Sequence, residues 1–504
     1  MATLSVAAVL AENARRRPAK EALVEGDLRL TFAEVWQRAL AQAGALVGLG
    51  VRPGDRIALM APNTAEFPQA YYAIAAAGGV VVPVHLLLSQ AEAGHVLTDS
   101  GATLLLCHPA QAQTGAAAAR AAGIRTVLLG EEFGKLAADA EPLPSYVTRE
   151  ADDPAVVFYT SGTTGVPKGA VLSHFNLVMN ATVNAFDAHD IRPDDIALGA
   201  LPLFHAFGQT VSMNSTWRAG ATLVLLPRFD AARAIELMVR EKVNTFHGVP
   251  TMFVALAAAA AGAGALPELR VCISGGASLP VAVLERFEAA FGATVYEGYG
   301  LSETSPAATV NQPILGAKPG TIGHPLWGVD VEIARADAED RIELLPPGEL
   351  GEVVVRGHNV FSGYLGRPEA TAEALVDGWF RTGDLGTKDD EGFLRIVDRK
   401  KDIIIRGGYN IYPREVEEVL MRHPGVAQVA VIGLPDDLHG EEVCAVVVPA
   451  PDAAPEAAEI SEWSREHLGK HKYPRRVEFT DALPLGPSMK VLKRELRVRY
   501  AAAR

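Results

Sequence analysis

The residue types best suited to chemistry gather at 159–169, Tyr159-Thr160-Ser161-Gly162-Thr163-Thr164-Gly165-Val166-Pro167-Lys168-Gly169. Four serine and threonine hydroxyls, three glycines and one lysine share these eleven residues. Glycine lets backbone N–H groups approach an anion, hydroxyls add donors, and lysine adds positive charge, so the run has the chemistry of a phosphate cradle. A short apolar β-type run, 154–158, feeds it, and Ala170-Val171-Leu172-Ser173-His174 leads out of it into a helical pattern. The spacing is not that of a Walker A loop, because counting from Gly162 the second glycine position holds Pro167. Taken alone, the segment also reads as an ordinary Gly/Ser/Thr surface turn.

Further along the chain, Glu303 sits in Tyr299-Gly300-Leu301-Ser302-Glu303, Asp384 in Arg381-Thr382-Gly383-Asp384, Arg399 beside Asp398, and Lys490 in 483–497. Carboxylates are the side chains that suit a hard cation such as Mg²⁺, which takes oxygen ligands and usually one or two carboxylates. Each of these residues alone also reads as a solvated loop charge or a turn cap.

Together they are specific. Residues 160–170 resemble the phosphate-binding signature of the adenylate-forming superfamily, which includes acyl-CoA synthetases, peptide-synthetase adenylation domains and luciferases. The motifs follow that family's order from about residue 20 to 497. The resemblance implies ATP or AMP binding by Thr160, Ser161, Gly162, Thr163, Thr164, Lys168, Gly276, Ala277, Glu297, Gly298, Tyr299, Ser302, Asp384 and Arg399. It implies Glu303 as the magnesium ligand, an acyl pocket lined by His205, Phe207, Gly275 and Gly300, and a CoA-presenting loop at Gly407-Gly408. Lys490, Glu303 and His205 are the implied catalytic residues. The family usually has threonine at Ser302, where serine keeps the hydroxyl, and glycine just before the lysine, where this chain has Met489. Lys493 is expected on the helix that follows, facing solvent.

The implied reaction is that of an acyl-CoA synthetase: acid plus ATP gives acyl-AMP and pyrophosphate, and CoA then gives acyl-CoA and AMP. His205 stands where amino-acid-activating relatives place an aspartate, which disfavours an amino acid, and Gly300 leaves open a pocket that acetate-specific relatives close with tryptophan. A medium- or long-chain fatty acid is the favoured acyl group. An aryl acid such as a hydroxycinnamate, a dicarboxylate, and a carrier protein in place of free CoA remain alternatives.

These residues need elements to position them. The chain has 504 residues, 49% hydrophobic and 21% charged, so it is globular and exceeds one ordinary core. A net charge of −14 argues against nucleic acid as a partner. Cys107, Cys272 and Cys444 lie far apart in apolar runs, which fits core positions in a reducing, cytoplasmic setting without structural zinc. No basic start followed by an apolar run marks a signal peptide. Residues 71–88 carry no charge, but Gly78-Gly79 and Pro83 favour a helix followed by a buried strand over a membrane span. Peripheral membrane contact and a homodimer stay open.

Helical patterns alternate with β-branched runs through 1–325: a helix at 31–49 capped by Thr31, then strands at 56–60, 102–106, 196–201, 222–226, 243–247, 269–274 and 294–297. Such alternation predicts parallel sheets with ligands at the strand C-terminal ends. The alanine-rich 115–122 and 255–265 read as helix surface and loop. The expected fold is α/β: a large N-terminal domain (1–397) of parallel and mixed sheets with flanking helices and a β-barrel-like subdomain at about 326–397, then a small mobile α+β C-terminal domain (398–504) hinged at Asp398. Residues 463–504 hold eleven Lys/Arg against four Asp/Glu, a surplus that fits either the CoA phosphates or a solvated helix face.

If Lys490 neutralises charge only in the first half-reaction, Lys490→Ala lowers adenylate formation at least about 100-fold. Thioester formation from preformed acyl-adenylate and CoA should then persist near the unmodified rate. Quenched-flow assay of the two half-reactions separately checks this, and equal loss of both removes the role.

Overall fold

The computed structural model describes residues 2–160, 167–451, 453–486 and 491–501. Two large sheets, a five-stranded antiparallel sheet and a smaller C-terminal domain make up the architecture. In the nine-stranded sheet, parallel strands Glu21–Glu25, Thr222–Leu225, Ile196–Gly199, Thr245–Gly248, Val271–Ser274 and Val295–Gly300 lie side by side. Antiparallel strands close both edges. The central strands are buried on both faces, as their apolar runs require. In the seven-stranded sheet, Pro154–Thr160, Val80–Pro83, Arg56–Met60, Leu104–Cys107 and Arg125–Leu128 are parallel.

Local chemistry sets the helices. Thr31 caps Phe32–Gly48 in a reciprocal capping box with Glu34, satisfying orphan N–H groups at the helix start. The uncharged stretch at 71–88 is the helix Glu66–Ala76 followed by the strand Val80–Pro83. From Phe67 onward every residue of that helix is buried, with Tyr72 against Trp217 at 5.3 Å between rings. No helix among the described residues is long and apolar enough to cross a membrane. All three cysteines are free and buried.

Three expectations need correction, and a fourth, the β-rich subdomain, is met with one exception. The phosphate-loop segment does not run directly from strand to helix. Lys168–Ser173 is itself a strand, antiparallel to Pro154–Thr160 with Thr160 opposite Lys168, and the helix His174–Val183 starts only after it. The β-rich region forms one antiparallel sheet, except that Gly363–Tyr364 leaves it to pair with Lys168–Ser173. The alanine-rich helix Ala112–Ala122 is part core: Ala118 and Ala119 are fully buried, because alanine lets this helix lie close to its neighbours. Lys493 does not face open solvent; its Nζ lies 2.7 Å from Glu417 Oε1.

The C-terminal domain is an antiparallel sheet around Val426–Asp436 and Gly440–Pro449, flanked by helices Pro413–Leu420, Ala457–His467 and Lys493–Ala501. Its Ile404, Ile411, Val416 and Leu420 share a buried apolar cluster with Phe287 and Val295 of the N-terminal part. Several basic groups of the tail are paired within the domain, through Lys472–Glu415, Arg476–Glu478, Lys493–Glu417 and Arg497–Asp402.

Candidate active site

The sequence-selected residues converge at the C-terminal end of the parallel strands. Val295–Gly300 runs through Leu301 into the short turn Ser302–Thr304, which places Glu303 beside the two strands that flank the phosphate-loop segment. Glu303 is 7% exposed, and its Oε1 accepts from the Tyr364 hydroxyl at 3.0 Å and the Thr160 hydroxyl at 3.4 Å. Lys168 Nζ lies 5.2 Å from the centre of the Tyr364 ring. Thr160, Lys168, Tyr364 and Glu303 therefore form one polar cluster. Ser161, Gly162, Thr163, Thr164 and Lys490 lie outside the described residues.

Asp384 forms the second cluster. Its carboxylate is buried and accepts from the Tyr299 hydroxyl at 2.7 Å and from Arg399 Nε at 3.1 Å. Asp384 and Arg399 face each other across adjacent antiparallel strands, so β register alone brings them together. Burial and the neighbouring Asp384 charge hold the Tyr299 phenol well above its ordinary range, so it remains a donor. Asp398, next to Arg399, accepts through Oδ2 from the backbone N–H of Arg414 at 3.0 Å, at the junction with the C-terminal domain.

A cavity of about 580 Å³, counted with its open mouth, adjoins both clusters. His205, Phe207, Gly275, Gly276, Gly298, Tyr299, Gly300 and Ser302 all line it, as the sequence predicts for a ligand pocket. His205 Nδ1 accepts from the Phe207 N–H at 3.3 Å, turning the chain so that both side chains border the cavity. A Cβ on Gly275 would sit 3.2 Å from the Phe207 ring, so the ring lies against bare backbone.

Some residues stand elsewhere. Glu297 does not line the cavity: its Oε1 accepts from the Leu279 N–H at 3.1 Å and so fixes the loop carrying Gly276 and Ala277. Ala277 is exposed beside it. Gly407 and Gly408, both at positive φ, form the two-residue turn between Ile404–Arg406 and Tyr409–Ile411, away from the cavity lining. Gly300 does more than leave space, since a Cβ there would lie 1.8 Å from the Pro306 carbonyl oxygen and no side chain fits.

Sequence reasoning missed Tyr364, Asn184, His189 and Ser274, which border the cluster or the cavity. Tyr364 reaches Glu303 only because its short strand crosses to another sheet, which no local pattern announces. His189 follows an ordinary amphipathic helix pattern, and Ser274 ends an apolar strand.

Comparison with known proteins agrees with this geometry. Residues 10–365 match the family described as AMP-binding enzyme, and residues 415–490 match the AMP-binding enzyme C-terminal domain. This chain belongs to the AMP-binding enzymes. It is 43% identical over 492 residues to a feruloyl-CoA synthase of Amycolatopsis sp, covering 97% of each chain. It is 35% identical over 532 residues to a long-chain-fatty-acid–CoA ligase of Bacillus subtilis, covering 97% of this chain and 93% of that one. ATP-bound MatB from Rhodopseudomonas palustris superposes with a TM-score of 0.91 at 34% identity, covering 99% of each chain. Within the AMP-binding enzymes, the chain is an adenylate-forming ligase of the acid–thiol, AMP-forming kind.

Two outcomes follow from the geometry. Gly300→Ala forces the Tyr299–Ser302 and Pro306 backbones apart and destabilises the protein by about 1–3 kcal/mol in urea unfolding. Glu297 provides a pH signature. Burial raises its carboxyl to about 7, against an ordinary 4.5. The folded state then holds a proton that the unfolded state has lost, so this contribution to stability is full below about 4.5 and disappears as pH rises through about 7. Across that window the stability of the unmodified protein should fall by roughly 2–3 kcal/mol relative to Glu297→Gln. Parallel curves for the two proteins in pH-dependent urea titrations contradict it.

Proposed function

We propose that this protein activates a compact aryl or arylalkenyl acid with ATP and transfers the acyl group to CoA. The observation that carries this reading is the shape and chemistry of the cavity. Gly275, Gly276, Gly298 and Gly300 present bare backbone, and Phe207 lies against Gly275, a flat slot suited to a planar ring. The lining also includes His189 and Ser274, whose buried ring nitrogens and hydroxyl have no hydrogen-bond partner among the described residues and would gain none from a long hydrocarbon chain. The feruloyl-CoA synthase at 43% identity, against 35% for the fatty-acid ligase, supports the same choice. The reading moves away from the fatty acid that the sequence motifs favoured.

In this mechanism the substrate carboxylate attacks the α-phosphorus of ATP and expels pyrophosphate. Thr160, Lys168 and, from the sequence, Ser161, Thr163, Thr164 and Lys490 hold the phosphates and offset the developing charge. Tyr299 and Gly276 bound the adenine side, and the Asp384–Arg399 pair holds the ribose. Glu303, with one oxygen bonded to Tyr364, would offer its other oxygen to a Mg²⁺ bound with ATP, and such a cation would offset the phosphate charge. The thiolate of CoA then attacks the acyl carbon and AMP leaves. Rotation of residues 398–504 about Asp398, carrying the Gly407-Gly408 turn toward the cavity, is proposed for this second step.

AMP release with CoA, measured across acids from acetate to palmitate plus cinnamate-type acids, tests the proposal. The cinnamate-type acids should give a kcat/KM at least 10-fold above palmitate. A maximum at palmitate overturns the aryl reading, and no AMP release with any acid overturns the ligase reading.

A further inference from the structure

Two histidines lie buried near each other in the core. His189 is 1% exposed and His247 is fully buried, with ring centres 5.8 Å apart. His247 lies in the strand Thr245–Gly248, next to the strand that ends at Ser274. His189 follows the turn Asn184–Ala188, its backbone N–H bonded to the Asn184 carbonyl at 3.1 Å. All four ring nitrogens of the pair, and Ser274 Oγ, lack a hydrogen-bond partner among the described residues. Leaving such groups unpaired is costly, and native cores rarely do so without a purpose.

Two of these groups share a destination, since both His189 and Ser274 line the cavity proposed for the acyl group. We infer that His189 and Ser274, with His247 packed behind, form a hydrogen-bonding floor that selects acids bearing a neutral hydroxyl on the ring, away from the carboxylate. The inference rests on the aryl-acid reading and sharpens it. The neutral imidazole can accept a hydrogen bond from the hydroxyl on one nitrogen or donate one from the other, and the serine hydroxyl adds a rotatable partner.

The charge of the floor decides between a hydroxyl and a second carboxylate. Burial, together with the adjacent His247, holds His189 well below its ordinary range, and burial holds His247 at about 4, so the pair is neutral near pH 7. No lysine, arginine, aspartate or glutamate lines the cavity among the described residues. A dicarboxylate would therefore bury its second charge against neutral groups, which is far more expensive than burying a hydroxyl that finds its partners.

The test compares 4-hydroxycinnamate with cinnamate, acids that differ by one hydroxyl, using the full-length protein with ATP and CoA. The unmodified protein should favour the hydroxylated acid about 10- to 100-fold in kcat/KM. His189→Phe, which fills the space without a polar atom, should bring that ratio within about 3-fold of one, and Ser274→Ala should lower it part of the way. Equal kcat/KM for the two acids in the unmodified protein overturns the inference without any variant, and so does a ratio that survives in a folded His189→Phe protein. Turnover of saturated fatty acids with neither cinnamate used would instead defeat the aryl reading beneath it.

Discussion

The site depends on one buried carboxylate. Asp384 accepts from Tyr299, at the end of the parallel sheet, and from Arg399, on the last strand before the C-terminal domain. It thereby joins three parts of the molecule whose residues are 85 and 15 positions away in sequence. A buried carboxylate with one partner removed would be left partly uncompensated, so its two donors constrain each other's placement. The strand that carries it is itself held by Arg381, buried with Glu352, whose other oxygen accepts from the Gly383 N–H at 3.0 Å.

The second constraint is close backbone approach. Gly300 against Pro306 and Gly208 against Pro202 let segments meet at distances that a Cβ would block, and Gly275 seats the Phe207 ring more tightly than a Cβ would readily allow. Gly275, Gly300, Phe207 and Pro306 border the cavity. These close approaches also explain how polar groups such as Ser274 and His189 can lie deep in an apolar core and still border the cavity. The proposed acyl specificity follows from backbone packing as much as from the side chains at the surface of the slot.

The junction with the C-terminal domain mixes two kinds of contact. Asp398 accepts from the Arg414 backbone, and the Arg414 guanidinium donates to the Ile396 carbonyl at 2.6 Å. The apolar cluster around Phe287 continues into Ile404 and Val416. Any rotation of this domain must exchange those contacts for others of similar worth. The proposed swing is thus a choice between two packings and not a loosening of one.

The sequence alone determined the family, the alternation of strands and helices, and the identity of Thr160, Lys168, Glu303, Tyr299, Asp384 and Arg399 as residues worth following. Those features are local: a Gly/Ser/Thr-rich run, a capping box and alternating apolar patterns are written in neighbouring residues. Tertiary structure alone decided that Tyr364 crosses from the β-rich region to Glu303, that Glu297 turns away from the cavity to hold Leu279, and that His189 and Ser274 line the same cavity. Each of these depends on strand order and on close approach between distant segments. A chain read in one dimension records which groups are present. Which of them are buried together is set only when the sheets pack.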